Sequence, residues 1–196
     1  MGEGMDKAMV NIHQNISLIL RLMQNSLSEL ENQESEELVA AIRNNRRILL
    51  FGMGRSGLNA RIFALRMVNM GYNALLLGET IIPPIKPHDL LIVISGSGKT
   101  PQTIDIAQSA KKYGVKVVAI TSFRKSKLAK LADMVVYVPG RIKEKTVINY
   151  YERQMEGLHQ DPTTLGSLFE LNTQLYIDAL IMALFKEKRR SAKRRK

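Results

Sequence analysis

Asp89-Leu90-Leu91-Ile92-Val93-Ile94-Ser95-Gly96-Ser97-Gly98-Lys99-Thr100-Pro101 joins an apolar run directly to glycines and hydroxyls. The apolar residues from Leu90 to Ile94, β-branched in part, read as a strand buried on both faces. A helical pattern starts after Pro101, so the glycines and hydroxyls fall on a strand-to-helix turn. Glycine lets backbone approach a ligand closely, and a helix start presents the positive end of its dipole. With the hydroxyls of Ser95, Ser97 and Thr100 and the backbone of Gly96 and Gly98, the turn reads as a phosphate cradle. Gly98-Lys99-Thr100 looks like the second half of a nucleotide P-loop, but that motif needs a glycine where Val93 stands inside the strand. ATP and GTP are therefore excluded. The alternative is a helix start with good caps and no ligand, though three hydroxyls and two glycines exceed what capping needs.

Outward from this stretch, strand and helix alternate. Upstream lie a strand over Arg47–Phe51, a helix over about Leu58–Met70 and a strand over Asn73–Leu77, with a proline-punctuated loop from Ile81 to Pro87. Downstream come a helix over about Gln102–Tyr113, a strand over Lys116–Thr121, a short helix over Ser126–Leu131 and a strand over Met134–Val138. The connections predict an α/β fold, a doubly wound five-stranded parallel sheet flanked by helices. Such sheets bind ligands at the carboxyl ends of their strands, where the winding reverses.

The N-terminal part, residues 1–45, reads as helical. Ile12, Ile16, Ile19, Met23, Leu27 and Leu30 recur at helical spacing within residues 5 to 31. Ser35 is expected to cap a second helix over 36–44, with Glu36 and Glu37 in its first turn. Residues 141–161 read as a long loop or irregular helix. Thr164 to Phe185 is a strongly apolar helix, expected to be heavily buried. The folded domain is expected over 46–185, with a mobile basic tail over 186–196.

The chain has 196 residues, no cysteine and a net charge of +11. Without cysteine there is no disulfide framework, thiolate nucleophile or zinc-finger spacing, which suits a reducing, cytoplasmic setting. Met1 to Asp6 do not read as a secretory signal, and no apolar run is expected to reach membrane-spanning length, so no membrane partner is expected. From Lys186 to Lys196 there are eight Lys or Arg and one Glu, so most of the positive charge lies in the tail. No aromatic residues are interleaved there, and a solvated end is favoured over a nucleic-acid contact.

Gly52-Met53-Gly54-Arg55-Ser56-Gly57 follows the first strand and has the form of the dinucleotide fingerprint. Glu79, at the end of the next strand, fits a ribose contact. Against a dinucleotide stand Arg55 and Ser56, which suit a sugar phosphate, and the second hydroxyl-rich turn, which a dinucleotide does not need.

Together the two turns resemble the sugar isomerase (SIS) domain family, whose diagnostic turn is Ser-X-Ser-Gly-X-Thr, here Ser95 to Thr100. Gly54-Arg55-Ser56-Gly57, Phe63-Ala64-Leu65-Arg66-Met67, Gly78-Glu79-Thr80 and Leu165-Gly166-Ser167-Leu168-Phe169-Glu170 further resemble its 6-phospho-3-hexuloisomerase branch. The resemblance covers residues 46 to 185. It implies a phosphate held by Ser95, Ser97, Thr100 and turn amides, with Ser56, Gly54, Arg55 and Glu79 completing the sugar-phosphate contacts. It implies Glu170 as catalytic base, no metal or cofactor, a sugar phosphate as substrate and a homo-oligomer, a tetramer. Moving a carbonyl from C3 to C2 of a hexulose 6-phosphate needs one carboxylate to take and return a proton through a cis-enediol. Partial burial of that carboxylate would make it a better base.

Members of the family usually carry a histidine after the long C-terminal helix, and none stands there in this chain. His159, before Glu170, is a candidate to reach the site. A non-catalytic phosphosugar-binding module is the alternative reading, as is an isomerase for another sugar phosphate.

Overall fold

The computed structural model describes residues 11–140, 155–157 and 164–193. In chain order these form α1 (Ile12–Leu27), α2 (Asn32–Asn44), β1 (Ile48–Gly52), α3 (Gly54–Asn69), β2 (Ala74–Leu76), β3 (Leu90–Ile94), α4 (Pro101–Lys112), β4 (Lys116–Thr121), α5 (Lys127–Leu131), β5 (Met134–Tyr137) and α6 (Thr164–Lys193).

The five strands form one parallel sheet in the order β2-β1-β3-β4-β5. β3 is central, and every residue from Leu90 to Ile94 is 0% exposed. That burial on both faces explains why its sequence does not alternate. On one face Ile48, Leu50, Ile92 and Ile120 pack with Phe63 and Met67 of α3 and with Phe169, Ile177 and Leu184 of α6. On the other, Leu49, Leu91, Val93 and Val117 pack with Ala107 and Ala110 of α4 and Leu128 of α5. The winding runs outward from β1 to β2, then returns to place β3 on the other side of β1. The reversal therefore lies between the carboxyl ends of β1 and β3, where both glycine-rich turns begin.

Several boundaries differ from the sequence expectation. α2 begins at Asn32, with Glu31 and not Ser35 at the cap position. The early start has tertiary support: Glu31 and Glu34 pair with Arg124, and Glu34 accepts the Tyr137 backbone N–H at 2.7 Å. Ser35 instead accepts a hydrogen bond from the buried Tyr176 hydroxyl at 3.2 Å. Burial pushes that phenol's pKa up, while the Ser35 contact opposes the shift. α3 begins at Gly54, so the second half of the first glycine turn is already helical.

α6 continues beyond Phe185 to Lys193, so residues 186–193 extend the helix where a mobile tail was expected. Lys188 Nζ donates to the Met70 carbonyl at 2.6 Å, and Arg43 pairs with Glu187 at 2.7 Å, tying this stretch to the body. The same helix corrects the expectation about apolar length. Over Ser167–Arg190 it is long and apolar enough to cross a membrane by length and composition. Its apolar character has a local cause, because Phe169, Tyr176, Ile177, Leu180 and Leu184 belong to the domain core. Its burial is one-sided, since Leu175, Met182 and Phe185 are exposed. The reading of 141–161 lies outside the described residues except at 155–157, as does His159.

Candidate active site

β3 hands over to its turn while still held in the sheet: the Ser95 N–H donates to the Ile120 carbonyl at 3.0 Å. The chain then folds back, with the Gly98 N–H donating to the Ser95 carbonyl at 3.0 Å. Gly98 has φ +57°, and a Cβ there would stand 2.1 Å from Ser126 Oγ, so the position needs glycine twice over. The Gly96 carbonyl accepts from the Ser122 N–H at 3.1 Å and from Thr121 Oγ1 at 3.2 Å. Those donors lie on the β4 side. A trans peptide points its N–H opposite its carbonyl, so the Ser97 N–H is turned away from those β4 donors. The Gly98 carbonyl is taken by the Leu128 N–H at 3.0 Å, anchoring the turn to α5. Ser126 caps α5 itself, accepting from the Ala129 N–H.

Thr100 occupies the cap position of α4 and makes no side-chain capping bond, while Pro101 takes the first helical position. Thr103 performs the local closure, donating from Oγ1 to the Thr100 carbonyl at 2.7 Å. Ser97 Oγ accepts the Lys99 N–H at 3.3 Å. Ser95 is buried and Ser97 half-buried, so the hydroxyls line the turn from its floor to its mouth.

The other turn leaves β1 at the same level, because Gly52 is paired with Ile94 in the parallel register. Gly54, Arg55 and Ser56 form the first turn of α3, with Ser56 buried and Arg55 exposed.

α6 brings in the carboxylate. A Cβ on Gly96 would lie 2.7 Å from the Phe169 ring, so the residue before Glu170 rests directly on the phosphate-type turn. Gly140, just past β5, lies against the backbone of this segment, where a Cβ would stand 2.6 Å from the Phe169 backbone nitrogen. Two buried amides fix the helix further. Asn172 Nδ2 donates to the Pro139 carbonyl and to Ser26 Oγ, both at 2.9 Å, and Asn59 Nδ2 donates to the Glu170 carbonyl at 2.9 Å. The Glu170 side chain is 15% exposed and faces the Arg55 guanidinium at 3.4 Å, which is 42% exposed. Carboxylate and cation from opposite ends of the sequence thus meet at the edge of the crevice between β1 and β3.

Of the residues predicted from sequence, the structure unites Ser95, Gly96, Ser97, Gly98 and Thr100 in one turn. It sets Gly54, Arg55 and Ser56 beside them in register, and it carries Glu170 to Arg55. Glu79 pairs with Arg61 of α3 at 2.6 Å, and both side chains are exposed. Sequence reasoning missed Asn59, Thr121, Ser122, Ser126 and Gly140. A signal existed for the β4 pair, since Thr121-Ser122 closes a buried strand with hydroxyls at its carboxyl end. Nothing local marks Asn59 or Gly140.

Two glycine–hydroxyl turns at the switch point of a parallel sheet, with a carboxylate brought beside them by a distant helix, define an α/β domain with a polar site at the carboxyl ends of its strands. The SIS domain model matches residues 41–155, and the chain belongs to that family. It is 36% identical over 173 residues to the 3-hexulose-6-phosphate isomerase of Bacillus subtilis, covering 88% of this chain and 89% of that protein. To the 3-hexulose-6-phosphate isomerase of Methylomonas aminofaciens it is 32% identical over 171 residues, covering 87% of this chain and 88% of that one. Among solved structures, a Methanococcus jannaschii protein superposes with a TM-score of 0.69 at 26% identity, covering 90% of each chain. Its crystal structure has been taken to infer a molecular function of 3-hexulose-6-phosphate isomerase.

Proposed function

We propose that this protein is a 3-hexulose-6-phosphate isomerase, interconverting D-arabino-3-hexulose 6-phosphate and fructose 6-phosphate without a cofactor. The observation that carries the reading is the meeting of Glu170 and Arg55 beside the Ser95–Thr100 turn, with Phe169 seated on Gly96. The phosphate binds to the hydroxyls of Ser95, Ser97 and Thr100 and to the start of α4, and this remote grip sets the sugar's position. Ser56 and Arg55 complete the contacts from the first turn.

The chemistry then needs one base. Glu170 takes the proton from C2, the C–H electron pair becomes the C2=C3 double bond, and the C3 oxygen gains negative charge. A proton passes from the C2 hydroxyl to the C3 oxygen, and Glu170 returns its proton to C3 as the C2 carbonyl forms. Arg55 lies 3.4 Å from the carboxylate and supports the charge that develops.

Exposed apolar residues support a homo-oligomer. Leu58, Ile62, Leu65 and Val68 make a stripe along α3, and Ile12 and Ile16 lie open on α1. A tetramer is the assembly proposed.

The test is incubation with D-arabino-3-hexulose 6-phosphate and a coupled readout of fructose 6-phosphate, comparing wild type with Glu170→Gln. Wild-type turnover that falls by about 10²–10⁴-fold in the variant, with fructose 6-phosphate still bound, is the expected result. Binding without turnover in the wild type would favour a phosphosugar sensor, and no binding would remove both readings.

A further inference from the structure

Asn59 is a buried polar residue that the proton-transfer scheme leaves unused. Its side-chain amide donates to the backbone carbonyl of Glu170 at 2.9 Å. Arg55 stands four residues earlier on α3, hence on the same face, and reaches the carboxylate of the same glutamate at 3.4 Å. α3 therefore meets Glu170 at both its main chain and its side chain.

The main-chain contact is unusual in purpose. A carbonyl inside an α-helix already has a partner four residues on, so the Asn59 bond is not needed to satisfy it. An amide is a costly choice for a buried helix–helix contact where an apolar side chain would pack as well. What the amide adds is direction. Apolar faces fix the distance between two helices but tolerate small slides and rotations, whereas a buried hydrogen bond has a narrow geometry.

We propose that Asn59 is a positioning residue for the isomerase reaction: it fixes the rotation and height of α6 at Glu170, while Arg55 steadies the carboxylate. The inference rests on Glu170 being the base proposed above. Phe169 already ties this part of α6 to the phosphate-type turn through Gly96. Asn59 ties it to α3, and the two contacts together define where the carboxylate stands relative to the bound phosphate. Proton transfer tolerates only about 0.5 Å of error in such placement.

The test replaces Asn59 by Leu, which is apolar, similar in size and orphans no group in α6. Asn59→Ala serves as a second variant that asks less of the packing. The expected result is a fall in kcat of roughly 10–100-fold with KM for D-arabino-3-hexulose 6-phosphate changed by less than about twofold, because the phosphate-binding turn is untouched. Amide hydrogen exchange supplies a readout that does not depend on turnover. Exchange should rise about tenfold within residues 167–174 while protection of β3 and β4 stays as in the wild type. Unchanged kcat and exchange would overturn the proposal, as would exchange rising across the whole sheet or KM rising as much as kcat falls. A wild type that does not turn over the substrate ends the isomerase reading. That outcome overturns the catalytic positioning role with it, whereas turnover in the wild type with unchanged kcat and exchange in the variants removes the positioning role alone.

Discussion

Gly96→Ala tests how the Ser95–Thr100 turn and the proposed base, Glu170, are coupled. Gly96 does not have a positive φ, so alanine is free to adopt its backbone conformation, and the effect of the substitution is steric. The new methyl would lie 2.7, 2.9 and 3.0 Å from three atoms of the Phe169 ring. Ordinary carbon contacts begin near 3.4–3.5 Å, so the ring must retreat by about 0.7 Å. Phe169 is itself fully buried, and Gly140 lies tight against its backbone, so retreat of the ring strains the packing of α6. Overpacking of this kind costs about 1–3 kcal/mol. In a chain of this size that corresponds to a melting temperature lower by roughly 2–12 °C. The displacement falls on the residue next to Glu170, and kcat should drop by about 10–100-fold, since misplacement of about 1 Å has that effect on proton transfer. Calorimetry and the coupled assay measure the two losses. Adding Phe169→Leu removes the ring that the methyl strikes, so the double variant should lose less than the sum of the single changes. Wild-type stability and kcat in Gly96→Ala, or strictly additive losses in the double variant, would refute the coupling.

Two further outcomes are expected. Thr100→Ala removes a hydroxyl that makes no capping bond. KM for the phosphorylated sugar should therefore rise roughly tenfold, as for a lost hydrogen bond to a charged group, while the melting temperature hardly moves; a drop in melting temperature with unchanged KM would assign the hydroxyl to structure. Beneath the sheet, Arg47 Nε donates to Asp89 at 2.9 Å, and both side chains are buried. Burial raises the Asp89 pKa, but the Arg47 hydrogen bond, the Lys86 N–H and the neighbouring positive charge outweigh it, and the net shift is downward. A carboxyl lowered in the folded state stabilises the fold above its unfolded pKa of about 4 and loses that contribution as pH falls through the lower folded value. Asp89→Asn should thus cost about 3–5 kcal/mol at neutral pH by leaving Arg47 buried without its counter-charge. The gap to wild type should narrow in denaturant titrations below pH 4, and a gap independent of pH would contradict this account.

The sequence by itself determined the sheet and the two turns. Five apolar residues without alternation, partly β-branched and bounded by a glycine turn, read as a strand covered on both faces, and β3 is that strand. The glycines and hydroxyls after Ile94 and Gly52 are local signals, because positive φ and close backbone approach are demands of single residues. What only the tertiary structure decided is how distant residues meet. Helical period gave α6 an apolar face, but not its extension to Lys193, which rests on contacts of Lys188 and Glu187 with other helices. Polarity hinted at Glu170, yet Asn59, Arg55 and Gly140, which hold it, lie on other elements. Glu79 likewise pairs with Arg61 of α3, a contact that its place after β2 does not announce. Period and turn chemistry are properties of neighbours along the chain. The position of a carboxylate against a crevice depends on how packed helices slide and rotate, and that is fixed by contacts between residues that are not sequence neighbours.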